Sequence, residues 1–192
     1  MSFIAARVTR RTTAILAVPL LAAGAWGVHR IHAQAPASES LAHVRSEFRL
    51  SVHAPMNVAA PLFGADAERG WGGEDWKPKF LYPQPAKDIE GAVFSVGHGQ
   101  HDSTWVATAM DFPGGHVQYV SVINGVMVTW IDIRLKPRDV SNTAVTVVYE
   151  RTALQVAANE TVRALGPHDE GNGKDWEASI NDYLSAQTKA RR

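Results

Sequence analysis

Cysteine is absent from all 192 residues. That excludes a disulfide framework, a zinc–thiolate cluster and a cysteine nucleophile. Three spacings that mark reaction centres are missing as well: GxSxG for an activated serine, HExxH for a zinc hydrolase, and the glycine-rich loop that cradles phosphates. Neither sign of charge is in excess, with 19 basic and 19 acidic residues, but the balance is uneven along the chain. Residues 1–37 hold Arg7, Arg10, Arg11 and Arg30 and no acid, so the remainder carries 15 basic and 19 acidic groups, net −4. A mildly acidic body repels a phosphate backbone and excludes a nucleic-acid partner held by counterion release. What remains, 45% hydrophobic and 20% charged, is the composition of one ordinary globular domain.

The first forty residues follow their own logic. A basic stretch, ARVTRR, precedes the apolar run Ala14 to Val28, and the small-residue patterns Ala33-Gln34-Ala35 and Ala35-Pro36-Ala37 follow. This is the layout of a secretory signal peptide. Fifteen residues interrupted by Pro19 fall short of the ~20 needed for a spanning helix, so residues 1–37 read as an exported signal. The alternative is an uncleaved membrane anchor through residues 14–28. Both place residues 43–192 outside the cytoplasm, periplasmic, secreted or tethered, after a linker at 38–42.

Beyond the linker the chain is strand-rich. In HVRSEFRLSVHAP, residues Val44, Ser46, Phe48, Leu50 and Val52 share one parity and predict a half-buried first strand. Pro55 ends it, and MNVAAPLF supplies a short helix limited by Pro61 to about two turns. The stretch GADAERGWGGEDWKPKFLYPQP is too rich in glycine and proline for a long regular element, yet carries Trp71 and Trp76. Those aromatics are expected to cap one end of a sheet and to form the mouth of a pocket. From Gly91 onward five strand-like runs follow, AVFSVGH, STWVATAMD, HVQYVSVING, VMVTWIDIRLKP and NTAVTVVYERTAL, separated by turn residues that include a two-residue Asn124-Gly125 hairpin. The product is an antiparallel meander.

His98 and His101 lie three apart with Asp102 beside them in GHGQHDS, a spacing that suits a metal ion or a proton relay. Flanking strands and glycines make this stretch a hairpin tip, where a third ligand held by surrounding hydrogen bonds is not expected. No metal and no cofactor are therefore expected. The C-terminal part predicts two helices, LQVAANETVRAL and DWEASINDYLSAQTKARR, parted by the breaker GPHDEGNGK. In the second, Trp176, Ile180, Tyr183, Leu184 and Gln187 form one apolar stripe, with Asp175 and Glu177 at its start and Lys189, Arg191 and Arg192 at its end. Asn159-Glu160-Thr161 matches a glycosylation sequon by chance inside a helix.

Strand, short helix, aromatic loop, meander and final amphipathic helix together resemble the helix-grip fold of the START-like (SRPBCC) superfamily. The carriers are HAPMNVAAPLF, AERGWGGEDWKPKFLYP, the pair NGVMVTWIDIRLKP and NTAVTVVYERTAL, and DWEASINDYL, over roughly residues 43 to 188. The resemblance implies an α+β domain, a curved antiparallel sheet around a long C-terminal helix. It also implies a binder of lipids or other small hydrophobic molecules, or a cyclase or dehydratase. Such a sheet and helix enclose an apolar hollow. Strand parity proposes its lining as Trp105, Ala107 and Ala109, then Tyr119, Ser121 and Ile123, then Thr129, Ile131 and Ile133, then Val145, Val147 and Tyr149. Trp176 and Ile180 are added from the helix, and Asp132 and Arg134 face solvent. No catalytic residue is carried over from the family. Three functions stay open: a non-enzymatic carrier or sensor, an enzyme using Tyr119, Tyr149 or a water between them as acid or base, and a filled-core envelope protein acting through its surface.

Overall fold

The computed structural model describes residues 39–98 and 101–190. The expected signal or anchor in residues 1–37 lies outside the described residues, as do Gly99 and Gln100 and the side chains of His98 and His101. Seven strands, β1 (His43–Val52), β2 (Lys79–Tyr82), β3 (Val93–His98), β4 (His101–Asp111), β5 (His116–Ile123), β6 (Met127–Pro137) and β7 (Thr143–Ala153), form one antiparallel sheet. Their order is β1-β7-β6-β5-β4-β3-β2. α1 (Met56–Ala59) and a 3-10 turn at Ala60–Phe63 follow β1, and α2 (Asn159–Ala190) closes the chain.

Alternation makes one face of the sheet apolar. In β1, Ser46, Phe48, Leu50 and Val52 are buried while their neighbours are not, because successive side chains of a strand point to opposite faces. The same two-residue period buries Val117, Tyr119 and Ser121 in β5, Thr129, Ile131 and Ile133 in β6, and Val145, Val147 and Tyr149 in β7. On the other face of β6, Asp132 takes hydrogen bonds from Gln118 and Arg134 and meets His116, and Trp130 is 43% exposed.

Four expectations are corrected. A register shift between Ala107 and Ala109 sets Ala109 opposite Gln118 and Met110 opposite buried Val117, so Ala109 faces out and Met110 in. Ile123 pairs with Met127, which makes the β5–β6 connection three residues long rather than two. The aromatic loop contains a strand, β2, which pairs with β3 and buries Phe80. Most consequential, the C-terminal segment is one helix of 32 residues that runs through Pro167 without a break.

The reason is a buried stripe. Asn159, Val162, Gly166, Asp169 and Gly173 fall at alternating spacings of three and four, and Ile180 continues the line two turns on. Gly166 and Gly173 bring α2 against β1: a Cβ on Gly166 would stand 2.9 Å from Val44, and one on Gly173 would stand 2.9 Å from the carbonyl oxygen of Arg49. These glycines serve close approach, and packing along their line overrides the ~3 kcal/mol helix penalty of a proline. Because the helix is continuous, Glu177 lies mid-helix and has no role at an N-terminus. Its carboxylate instead accepts from the Ser51 N–H at 2.7 Å, while Asn181 bonds both the His53 N–H and the Ser51 carbonyl. In this way α2 covers β1, an edge strand whose backbone would otherwise be open.

The two helix glycines that look alike in sequence are expected to respond in opposite directions. Gly171→Ala meets nothing within 4 Å and is expected to gain about 0.5–1 kcal/mol from helix propensity. Gly173→Ala is expected to lose about 1–2 kcal/mol, because its methyl group would press on β1 backbone. Urea unfolding of both variants measures the contrast.

Candidate binding cavity

α2 lies along β1 and leaves the middle of the sheet uncovered. Beneath it is a cavity of about 370 Å³ lined by Glu68, Trp76, Trp105, Tyr119, Ser121, Ile123, Met127, Thr129, Ile131, Ile133, Tyr149, Arg151, Leu165 and Trp176. The interior is thus not filled, and the filled-core alternative loses its premise, since ~300 Å³ is enough for a small ligand.

Of the residues proposed from sequence, Trp105, Tyr119, Ser121, Thr129, Ile131, Tyr149, Trp176 and Trp76 stand together in this wall. Two do not. Ile180 is wholly buried in the core, because it sits one turn beyond Trp176 where the helix meets the sheet. Trp71, proposed with Trp76 for the mouth, is 7% exposed, donates its indole N–H to the Leu62 carbonyl at 2.7 Å, and packs edge-on against Trp176 and Phe63. It supports the wall from behind.

Three of the five aromatic rings in the lining have their polar atoms already engaged within the protein. Trp76 donates to the Ala65 carbonyl at 2.9 Å, Trp105 to the Ser103 hydroxyl at 2.7 Å, and Tyr119 to the Phe63 carbonyl at 2.9 Å. Trp105 and Tyr119 meet at 74°, and Trp76 and Trp105 at 88°, edge-to-face arrangements that lock the rings. Against this carbon surface Ser121, Thr129 and Tyr149 bring hydroxyl groups to the lining of the hollow.

Two charged residues complete the wall. Arg151 stacks 4.4 Å over the ring of Tyr149 and is paired with Asp169, which also accepts from Ser46 at 2.8 Å. Its charge is matched. Glu68 was not anticipated from sequence, since an acid in a glycine-rich loop is ordinarily solvated. A 3-10 turn at Ala67–Gly70 places it: its N–H donates to the Gly64 carbonyl, and its own carbonyl accepts from Trp71 and Gly72. Gly72 leaves the necessary room, for a Cβ there would stand 2.9 Å from Glu68 Cγ and 3.0 Å from Trp76 Cβ. Burial first, and the neighbouring Asp88 second, push the Glu68 carboxyl up to about 8, so it holds its proton at neutral pH. Asp88 is itself raised, mainly by burial, against the N–H bonds it accepts from Asp66 and Ala67. Tyr119 and Tyr149 are raised above the ordinary phenol, by burial and then by Glu68. Both phenols therefore keep their protons at neutral pH.

No group of side chains able to hold a metal occurs among the described residues. Asn159 of the sequon is buried, accepting from the Ala42 N–H and donating to Glu39 and the Ser40 carbonyl, so the described part of the expected linker is fastened to α2. No helix among the described residues is long and apolar enough to cross a membrane.

Known structures share this arrangement. A norcoclaurine synthase point mutant from Thalictrum flavum, in complex with a transition-state analogue, superposes with a TM-score of 0.57 at 13% identity over 78% of this chain and 99% of its own. The fold is a helix grip. An uncharacterised protein from Rhizobium leguminosarum shares the helix-grip architecture with a TM-score of 0.53 at 11% identity, covering 73% and 96% of the two chains. Ara h 8.0201 does so with 0.50 at 14% identity, covering 72% and 98%. No family model and no curated protein sequence matches the chain.

Proposed function

We propose that this helix-grip domain binds a small, largely apolar molecule in the cavity between α2 and the sheet, and acts outside the cytoplasm as a carrier or sensor. The observation that carries the reading is the hollow itself. About 370 Å³ stands open in a wall where Trp76, Trp105 and Tyr119 spend their N–H and O–H groups inside the protein and Ser121, Thr129 and Tyr149 bring hydroxyls. Export rests on the basic, apolar and small-residue order of residues 1–37. A helix-grip neighbour held with a small analogue supports the same use of the fold, by analogy alone.

The test has two parts. Native mass spectrometry of protein purified from its own envelope is expected to show a small-molecule adduct. The neutral probe N-phenyl-1-naphthylamine is expected to brighten on binding, and Thr129→Phe, which projects a ring into the cavity, to weaken it about tenfold or more. No adduct and no probe response would reject the reading.

A second reading is supported by Glu68. A carboxyl that ionises near neutrality inside an apolar site suits general acid–base work, so a cyclase, dehydratase or isomerase would use Glu68 rather than the tyrosines. A co-purified molecule altered by the natural protein but untouched by Glu68→Gln would favour it.

A further inference from the structure

When Glu68 ionises, the cavity holds a negative charge that nothing in its wall matches. Arg151 is the one cation in the wall among the described residues, and Asp169 neutralises it from the α2 side. Glu68, from the loop, has no cationic partner among the described residues. Arg69, next in the chain, is turned away to Asp66 and the Pro78 carbonyl. The acid behind Glu68, Asp88, is satisfied by backbone N–H groups and brings more negative charge. Around the same hollow stand five aromatic rings, those of Trp76, Trp105, Tyr119, Tyr149 and Trp176.

A carboxylate among aromatic rings is the combination that recognises an organic cation. The rings offer the negative face of their quadrupole, and the carboxylate supplies a full charge in a site with little water. A metal ion would want several oxygen ligands, which this wall does not offer. A phosphate or carboxylate guest would face Glu68 and find Arg151 already paired.

We propose that the guest carries an ammonium group, primary to quaternary, seated on Glu68 among the cavity's aromatic rings, with its apolar remainder over Ile131 and Thr129. This rests on the cavity-binding reading above and narrows it to a ligand class. The cation replaces the proton that Glu68 otherwise holds, so binding releases a proton wherever Glu68 is protonated in the free protein.

That competition gives the test. Asp88 acts on Glu68 from the loop behind it, and the titratable and charged groups that share the hollow with it are Tyr119, Tyr149 and the Asp169-paired Arg151; no histidine lines the cavity among the described residues. Benzyltrimethylammonium, whose charge does not titrate, is compared with its uncharged carbon isostere, neopentylbenzene, by quenching of the protein's tryptophan fluorescence. The ammonium is expected to bind about tenfold more tightly for each unit of pH up to about 7.5 and to level off above about 8.5, while the isostere does not change with pH. At about pH 8.5 the ammonium is expected to bind at least about tenfold more tightly than the isostere. Glu68→Gln is expected to remove both the preference for the ammonium over the isostere and the pH dependence. Should the isostere bind as well as the cation, or the cation bind equally at all pH values, the ammonium inference is overturned and the cavity reading survives. If neither probe binds, both fail.

Discussion

Replacing Glu68 by glutamine is expected to stabilise the protein at pH 8 and above and to leave it nearly unchanged at pH 4. The folded state raises this carboxyl from 4.5 to about 8. Below 4.5 the folded and unfolded chains are both protonated and the group contributes no difference. Between 4.5 and 8 the unfolded chain has lost the proton and folding must take it back up, so stability falls as pH rises, by at most about 1.4 kcal/mol per unit. Above 8 the folded state holds an ionised carboxylate in an apolar wall, and the full penalty is present. The whole interval sets an upper bound of about 5 kcal/mol, which water entering the cavity reduces to about 2–4 kcal/mol. Glutamine keeps the shape and cannot ionise. Its melting temperature is therefore expected to exceed the natural protein's by roughly 5–15 °C at pH 8.5, at about 2–4 °C per kcal/mol for a domain of this size. Circular dichroism melts across the pH range measure it. Parallel profiles for the two proteins would mean that Glu68 is already ionised at neutral pH. A residual fall common to both would belong to Asp88, whose shift has the same sign.

The second large effect lies under the helix. Asp169→Ala is expected to cost about 3–5 kcal/mol, the usual consequence of removing one half of a buried ion pair. Asp169 is 2% exposed and the Arg151 side chain 11%, so water cannot take over the guanidinium's lost partner, and the Ser46 hydroxyl loses its acceptor as well. The size of the loss comes from the orphaned charge rather than from any large net worth of the pair. A double variant, Arg151→Met with Asp169→Leu, is accordingly expected to recover most of the stability, since well-packed apolar residues often replace a buried pair without loss. Urea midpoints with unchanged slopes would measure both. A double variant as unstable as the single one would show that the pair contributes net stability. Because Arg151 also rests on the Tyr149 ring, the single variant is expected to loosen one wall of the cavity and to weaken N-phenyl-1-naphthylamine binding along with stability.

What sequence alone determined is whatever rests on a local period. The two-residue alternation of β5, β6 and β7 placed Tyr119, Ser121, Thr129, Ile131 and Tyr149 on one face, and all five stand in the cavity wall. Order of elements was enough for the helix grip. Strand parity failed at Ala109, where a bulge inserts a residue that no local pattern announces. The helix was divided wrongly because Gly166, Pro167, Gly171 and Gly173 satisfy every local rule for a breaker. The spacing of three and four that continues through Asn159, Val162, Gly166, Asp169 and Gly173 was present in the chain, but it is written in small and polar residues, to which a search for apolar stripes is blind. Only the tertiary structure could decide that those glycines touch β1. The same holds for Trp71 behind the wall rather than at its mouth, and for Glu68. An acid's burial depends on what folds over it from far along the chain, here a helix about a hundred residues later and strands that bring Tyr119 and Tyr149 alongside. Periodicity reports which face of an element is apolar; which acid that face encloses is settled when distant elements meet.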